Sequence, residues 1–213
     1  MIQYGSYIFD LDGTLLYTLD DLTNSVNHAM RDFCWKEHTT DEVKKMVGNG
    51  VRKLMERAVP GGKTNPLYEE AYNSFINHYL KHNEDTTRPY DGIIETLVEL
   101  KRRGCKMAVV SNKYYKATEE LCKHFFNDYI DVAIGESESI RKKPAPDCVI
   151  EAMHRIGADK ATSVYVGDSE VDIETAKNSG LPCISVLWGF RDKDFLINHG
   201  ATTFITHPTD LLK

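Results

Sequence analysis

The 213 residues carry 26 Lys and Arg against 32 Asp and Glu, a net charge of −6 that argues against a nucleic-acid backbone as the main partner. At 41% hydrophobic and 27% charged, the composition is that of an ordinary globular chain, which excludes disorder, collagen and coiled coil. No apolar run approaches the ~20 residues of a membrane helix, and Asp10 and Asp12 arrive too early for a signal peptide, so a cytoplasmic protein with no membrane partner is expected.

The first predicted element is a short apolar strand at 7–9. Residues 16–86 then show helical patterns and no convincing strand. Leu22, Val26, Met30 and Phe33 form one stripe; Thr39 with Glu42 reads as a capping box before Val43 and Met46, and Gly48 is a stop. Val51, Leu54, Met55 and Ala58 form a third helix before Pro60, and Pro66 opens a long helix with Ala71, Phe75 and Tyr79 on one face. This block is expected to be an inserted helical cap domain, hinged at Tyr17-Thr18 and Thr86-Thr87 to a core domain made of 1–15 and 87–213.

Beyond it, strands at 107–110, 132–134, 163–166 and 184–187, and a weaker one at 203–205, alternate with amphipathic helices. Ile94, Leu97 and Leu100 share a face ahead of Gly104, and Pro146 opens a helix carrying Val149, Ile150, Met153 and Ile156 ahead of Gly157. Continuous apolar strands between such helices predict an α/β fold: a doubly wound, Rossmann-like parallel sheet with the helical cap inserted. The five cysteines are scattered without a CxxC pair and read as reduced thiols. His78 and His82, four apart without a third ligand, read as solvated, and Trp188 and Phe190 as packing on the last large strand.

Four strand ends carry polar groups: Asp10-Leu11-Asp12-Gly13-Thr14-Leu15, Ser111-Asn112, Lys143-Pro144, and Gly167 to Asp172. In an open parallel sheet such ends line one crevice, so an acid pair, a hydroxyl, a lysine and a second acid cluster are expected to converge there. Each alone has a bland reading as a turn, a cap or a solvated charge; their joint order carries the inference.

In that order the motifs resemble the haloacid dehalogenase-like superfamily, in the branch with a helical cap after the first strand. The stretches 47–58 and 87–92, Lys143-Pro144-Ala145-Pro146-Asp147 and Trp188-Gly189-Phe190-Arg191 are further similar to phosphoglycolate phosphatases. Tyr17-Thr18 departs from the Asp-Ser pair of many relatives. The resemblance implies Mg²⁺-dependent hydrolysis of a small phosphorylated metabolite, 2-phosphoglycolate above others, through an aspartyl-phosphate.

It further implies Asp10 as nucleophile, Asp12 as acid and base, Ser111 and Lys143 on the phosphoryl oxygens, and Asp10, Asp168 and the Asp12 carbonyl on the metal. Asp172 is a candidate for the outer shell, and Asn112 for a phosphate contact or a helix cap. Arg52 could read a substrate carboxylate or lie on a solvated face. Pyrophosphate, sugar and nucleotide monophosphates, and a β-phosphoglucomutase-like transfer, remain open. A receiver-type binding module is disfavoured by the helical insertion and by Asp12. The chain is expected to act as a monomer or homodimer.

Overall fold

In the computed structural model, which describes residues 4–137 and 139–213, the chain divides into two compact units, one of them Thr18–Arg88 and the other built from the segments on either side of it. In chain order the elements are β1 (Ser6–Phe9), β2 (Leu16–Tyr17), α1 (Leu19–Asp32), α2 (Thr40–Met46), α3 (Val51–Ala58), α4 (Tyr68–His82), β3 (Arg88–Pro89) and α5 (Ile93–Arg102). There follow β4 (Lys106–Tyr114), α6 (Tyr115–Phe126), β5 (Val132–Glu136), α7 (Asp147–Ile156), β6 (Ser163–Gly167), α8 (Glu170–Ser179), β7 (Cys183–Val186), α9 (Lys193–Asn198) and β8 (Phe204–Ile205).

The larger unit is a six-stranded sheet in the order β5-β4-β1-β6-β7-β8, each neighbouring pair parallel. From β1 the chain builds outward through β4 and β5, then returns to start again at β6 on the other side. The order therefore reverses at β1, and in a doubly wound sheet such a reversal opens a crevice at the carboxyl ends of the strands. Side chains alternate between two cores: Tyr7 and Phe9 of β1, Met107 and Val109 of β4, and Val164 and Val166 of β6 pack with Ile93, Leu97, Leu100, Leu121 and Phe126. Ile8, Ala108, Val110 and Tyr165 face the opposite way, onto Val149, Ala152 and Ile156 of α7 and Ala176 of α8.

The α/β class and the doubly wound parallel sheet expected from the sequence are what the structure shows, while several strand limits move. β4 does not stop at 110 but continues through Ser111, Asn112 and Lys113 to Tyr114, with a register shift against β5 between Val110 and Tyr114. These polar residues stay extended because their side chains find buried partners instead of solvent. β7 begins at Cys183 and ends at Val186, although the Leu187 N–H still donates to the Ile205 carbonyl at 3.0 Å.

The smaller unit is helical. α1 buries Leu22, Val26 and Met30, whereas Phe33 lies past the helix end and stacks on Trp35. The capping box at α2 is present: the Glu42 N–H donates to Thr39 Oγ1 at 3.3 Å and the Thr39 N–H to Glu42 Oε2 at 2.7 Å. α4 buries Ala71, Phe75 and Tyr79 as its spacing predicts. His78 is half-buried rather than fully solvated. Its ring lies between those of His28 (4.2 Å) and His82 (4.3 Å) and is 3.0 Å from Ser25 Oγ, and burial lowers its pKa, the neighbouring imidazoles adding to the effect. β2 and β3 form a separate two-stranded sheet.

Candidate active site

Asp10 follows directly on β1, and its N–H donates to the Val166 carbonyl of β6 at 2.9 Å, so the carboxylate stands beside the reversal point. Beyond it Gly13, at φ 90, turns the chain so that its N–H reaches the Leu16 carbonyl at 2.8 Å, a backbone state that side chains disfavour. Lys143 reaches Asp10 from the segment between β5 and α7, donating from Nζ to Asp10 Oδ1 at 2.5 Å. The same ammonium donates to Asp172 Oδ1 at 2.8 Å and to the Tyr165 hydroxyl at 3.1 Å, which uses its three hydrogens.

Asn112 holds that lysine in place. Its Oδ1 accepts from the Lys143 N–H at 2.8 Å and its Nδ2 donates to the Lys143 carbonyl at 3.0 Å, so the amide grips the lysine backbone rather than capping a helix. Asp172, in the first turn of α8, accepts from the Tyr165 hydroxyl at 2.8 Å, from the N–H groups of Asp168 (3.2 Å) and Ser169 (3.1 Å), and from Ser169 Oγ at 2.6 Å. With Lys143, both of its oxygens are committed.

Asp168 projects from the end of β6, where its Oδ2 accepts from the Phe190 N–H at 2.6 Å. Trp188 Nε1 donates to the Thr14 carbonyl at 2.9 Å, and Arg191 Nε to Glu170 Oε2 at 3.0 Å. The segment 188–191 is thus more than packing: it braces the acid. A Cβ on Gly189 would lie within 2.5 Å of Asp168 Oδ2 and 2.6 Å of the Gly13 carbonyl, so only glycine lets the acid come this close. Ser111, buried on β4, accepts the Lys113 N–H at 3.1 Å.

Oxygens of Asp10, Asp168 and Asp172 lie within 4.8 Å of one another, the arrangement of a possible metal site. Burial raises the Asp10 pKa well above the usual carboxylate range, with Asp172 and Asp168 adding to it and Lys143 opposing. Asp168 is pushed up to about 7, first by burial and then by Asp172, against the Phe190 N–H. Burial would also raise Asp172, but Lys143 together with the Ser169 and Tyr165 hydroxyls outweighs it and the pKa falls; burial would neutralise Lys143, but Asp10 and Asp172 hold it charged. Three buried carboxylates share one buried ammonium, so ionising all three calls for a further positive charge, and their oxygen donors suit a hard cation such as Mg²⁺. Because Asp172 is saturated with donors, Asp10 and Asp168 are the acids with lone pairs to offer.

Three parts of this arrangement escape a reading of the sequence: the Tyr165 hydroxyl, the bracing of Asp168 by the segment 188–191, and Lys113, whose Nζ donates to Asp12 Oδ1 at 2.7 Å. The sequence signal for Lys113 is its place two residues after Ser111, the same-face spacing of an extended strand. Arg52 already has a carboxylate partner in its own unit, Glu69, at 3.0 and 3.1 Å, and its guanidinium lies 4.1 Å from the centre of the Tyr72 ring.

The haloacid dehalogenase-like hydrolase family profile matches residues 7–186. The chain is 33% identical over 212 residues to the phosphoglycolate phosphatase of Aquifex aeolicus, which spans 97% of this chain and 94% of that one. It is 35% identical over 198 residues to the phosphoglycolate phosphatase of Agrobacterium fabrum, covering 87% of this chain and 81% of that one. A crystal structure of a protein from Lactobacillus delbrueckii subsp. bulgaricus superposes with a TM-score of 0.94 at 34% identity, over 99% of this chain and 97% of that one. Among the described residues, no helix is long and apolar enough to cross a membrane. The chain belongs to the haloacid dehalogenase-like hydrolases, as an enzyme similar to their phosphoglycolate phosphatases.

Proposed function

We propose that the protein is a Mg²⁺-dependent phosphatase of small phosphate monoesters, with 2-phosphoglycolate the favoured substrate, and that it works through an aspartyl-phosphate on Asp10. The observation that carries this reading is the buried grouping of Asp10 with Lys143 and Asp168 at the reversal point of the sheet, with Asp12 two residues further on. The named activity of its relatives supports the choice of substrate.

Asp10, Asp168 and the Asp12 carbonyl would hold Mg²⁺, which when bound supplies positive charge to the phosphoryl group and lets a carboxylate approach a dianion. In the first step a carboxylate oxygen of Asp10 bonds to phosphorus as the bond to the leaving oxygen breaks, and Asp12 gives that oxygen a proton. In the second, water attacks phosphorus, Asp12 takes its proton, and Asp10 departs as a free carboxylate. Lys143, by its charge, and the Ser111 hydroxyl, by hydrogen bonding, stabilise the charge that develops on the equatorial oxygens.

Phosphate release measured across phosphorylated metabolites, with and without EDTA, tests the reading. Turnover of 2-phosphoglycolate above sugar and nucleotide monophosphates, abolished by EDTA and restored by Mg²⁺, is the expected result. Full activity in EDTA, or transfer of phosphate between sugar positions without release, would contradict it.

A further inference from the structure

We infer that Lys113 is a positioning residue for the proton-transferring acid: it holds Oδ1 of Asp12, so that Oδ2 serves the leaving oxygen and then the attacking water. This rests on the proposed role of Asp12. The supporting contact is the 2.7 Å hydrogen bond from Lys113 Nζ to Asp12 Oδ1, in which the lysine side chain is 3% exposed and the aspartate 17%.

Burying an ammonium is expensive, and a buried ion pair seldom serves stability better than a well-packed apolar pair. The position of this pair suggests what it is kept for. Lys113 lies in the extended polar end of β4, and its own N–H donates to Oγ of Ser111, the residue that the proposed mechanism sets against the phosphoryl group. On the Asp12 side, the backbone is pinned by the bridge to Leu16 and by the turn at Gly13, so the carboxylate keeps only its side-chain rotation. Lys113 removes that freedom.

A carboxylate that must give a proton in one step and take one in the next depends on orientation in both steps, and loss of well-placed acid–base assistance costs roughly 10²-fold or more. The two steps can be separated by choice of ester. p-Nitrophenolate is a stable anion and leaves without a proton, so the first step tolerates a misplaced Asp12 while the second does not.

Stopped-flow hydrolysis of p-nitrophenyl phosphate by the Mg²⁺-loaded enzyme is therefore the test, with wild type, Lys113→Met, Lys113→Arg and Asp12→Asn compared and folding checked by circular dichroism. Lys113→Met should release about one equivalent of nitrophenolate in a burst and then turn over ~10-fold to 100-fold more slowly than wild type. Lys113→Arg should restore much of the steady rate, and the burst should also be seen in Asp12→Asn. A linear Lys113→Met trace, whether at the wild-type rate or uniformly slowed, would overturn the proposal, since a structural role slows both steps alike. Should the Met variant not fold, Lys113→Gln, whose amide still donates one hydrogen bond, is judged by the same criterion. Wild-type behaviour of Asp12→Asn would instead sink the reading of Asp12.

Discussion

Asp168 carries a testable consequence of its surroundings. Its pKa is raised from 3.8 to about 7 by burial and by Asp172, so the folded metal-free protein binds a proton there more tightly than the unfolded chain does. A raised carboxylate penalises folding as pH climbs above the unfolded value, and the penalty is complete once pH passes the folded value. Over roughly pH 4 to 7 this group therefore removes stability from the metal-free protein as pH rises. A cation that needs the ionised acid relieves the penalty and competes with the proton. Mg²⁺ should accordingly raise the melting temperature more at about pH 8 than at about pH 5. Scanning calorimetry with and without EDTA reads the difference, and an equal Mg²⁺ shift at both pH values would remove Asp168 from the metal site.

At the scale of elements, the segment after β7 acts on Asp168 through an N–H group and through a missing side chain. Gly189→Ala would force the Asp168 carboxylate or the Phe190 N–H to move, because the added carbon falls within 2.5 Å of Asp168 Oδ2. Disturbing the groups that orient a metal ligand typically costs 10-fold to 100-fold in affinity. The variant should thus need ~10-fold or more Mg²⁺ for half-maximal activity, and an unchanged Mg²⁺ titration would show that the segment only packs. This device is illegible in the sequence, since a backbone donor and an absent Cβ leave no signature in hydropathy. The apolar strands were legible for the opposite reason: covered on both faces, they read as continuous runs of Tyr7 to Phe9 or Val164 to Val166. The polar end of β4 is not legible in hydropathy because Ser111, Asn112 and Lys113 find the partners that keep them extended only in the fold.

For the whole molecule, the reversal of strand order at β1 brings residues more than a hundred positions apart into hydrogen-bond contact, such as Asp10 with Lys143. That convergence could be expected from the sequence because each polar group sits just past a strand, and in a parallel sheet all those ends share one edge. What the pattern does not encode is the order in which the buried charges are shared. Asp172 proves saturated by Lys143, Tyr165 and Ser169, and that distribution leaves Asp10 and Asp168 as the acids of the group with lone pairs to offer. Everything proposed for this site depends on Asp10 taking the phosphoryl group. That transfer is tested most directly in Asp12→Asn turning over p-nitrophenyl phosphate with Mg²⁺, quenched with borohydride and mapped by peptide mass spectrometry. The account predicts reduction of the Asp10 side chain to an alcohol, dependent on substrate. Reduction at Asp12 or Asp168 instead, or a burst of nitrophenolate with Asp10 intact, would contradict it.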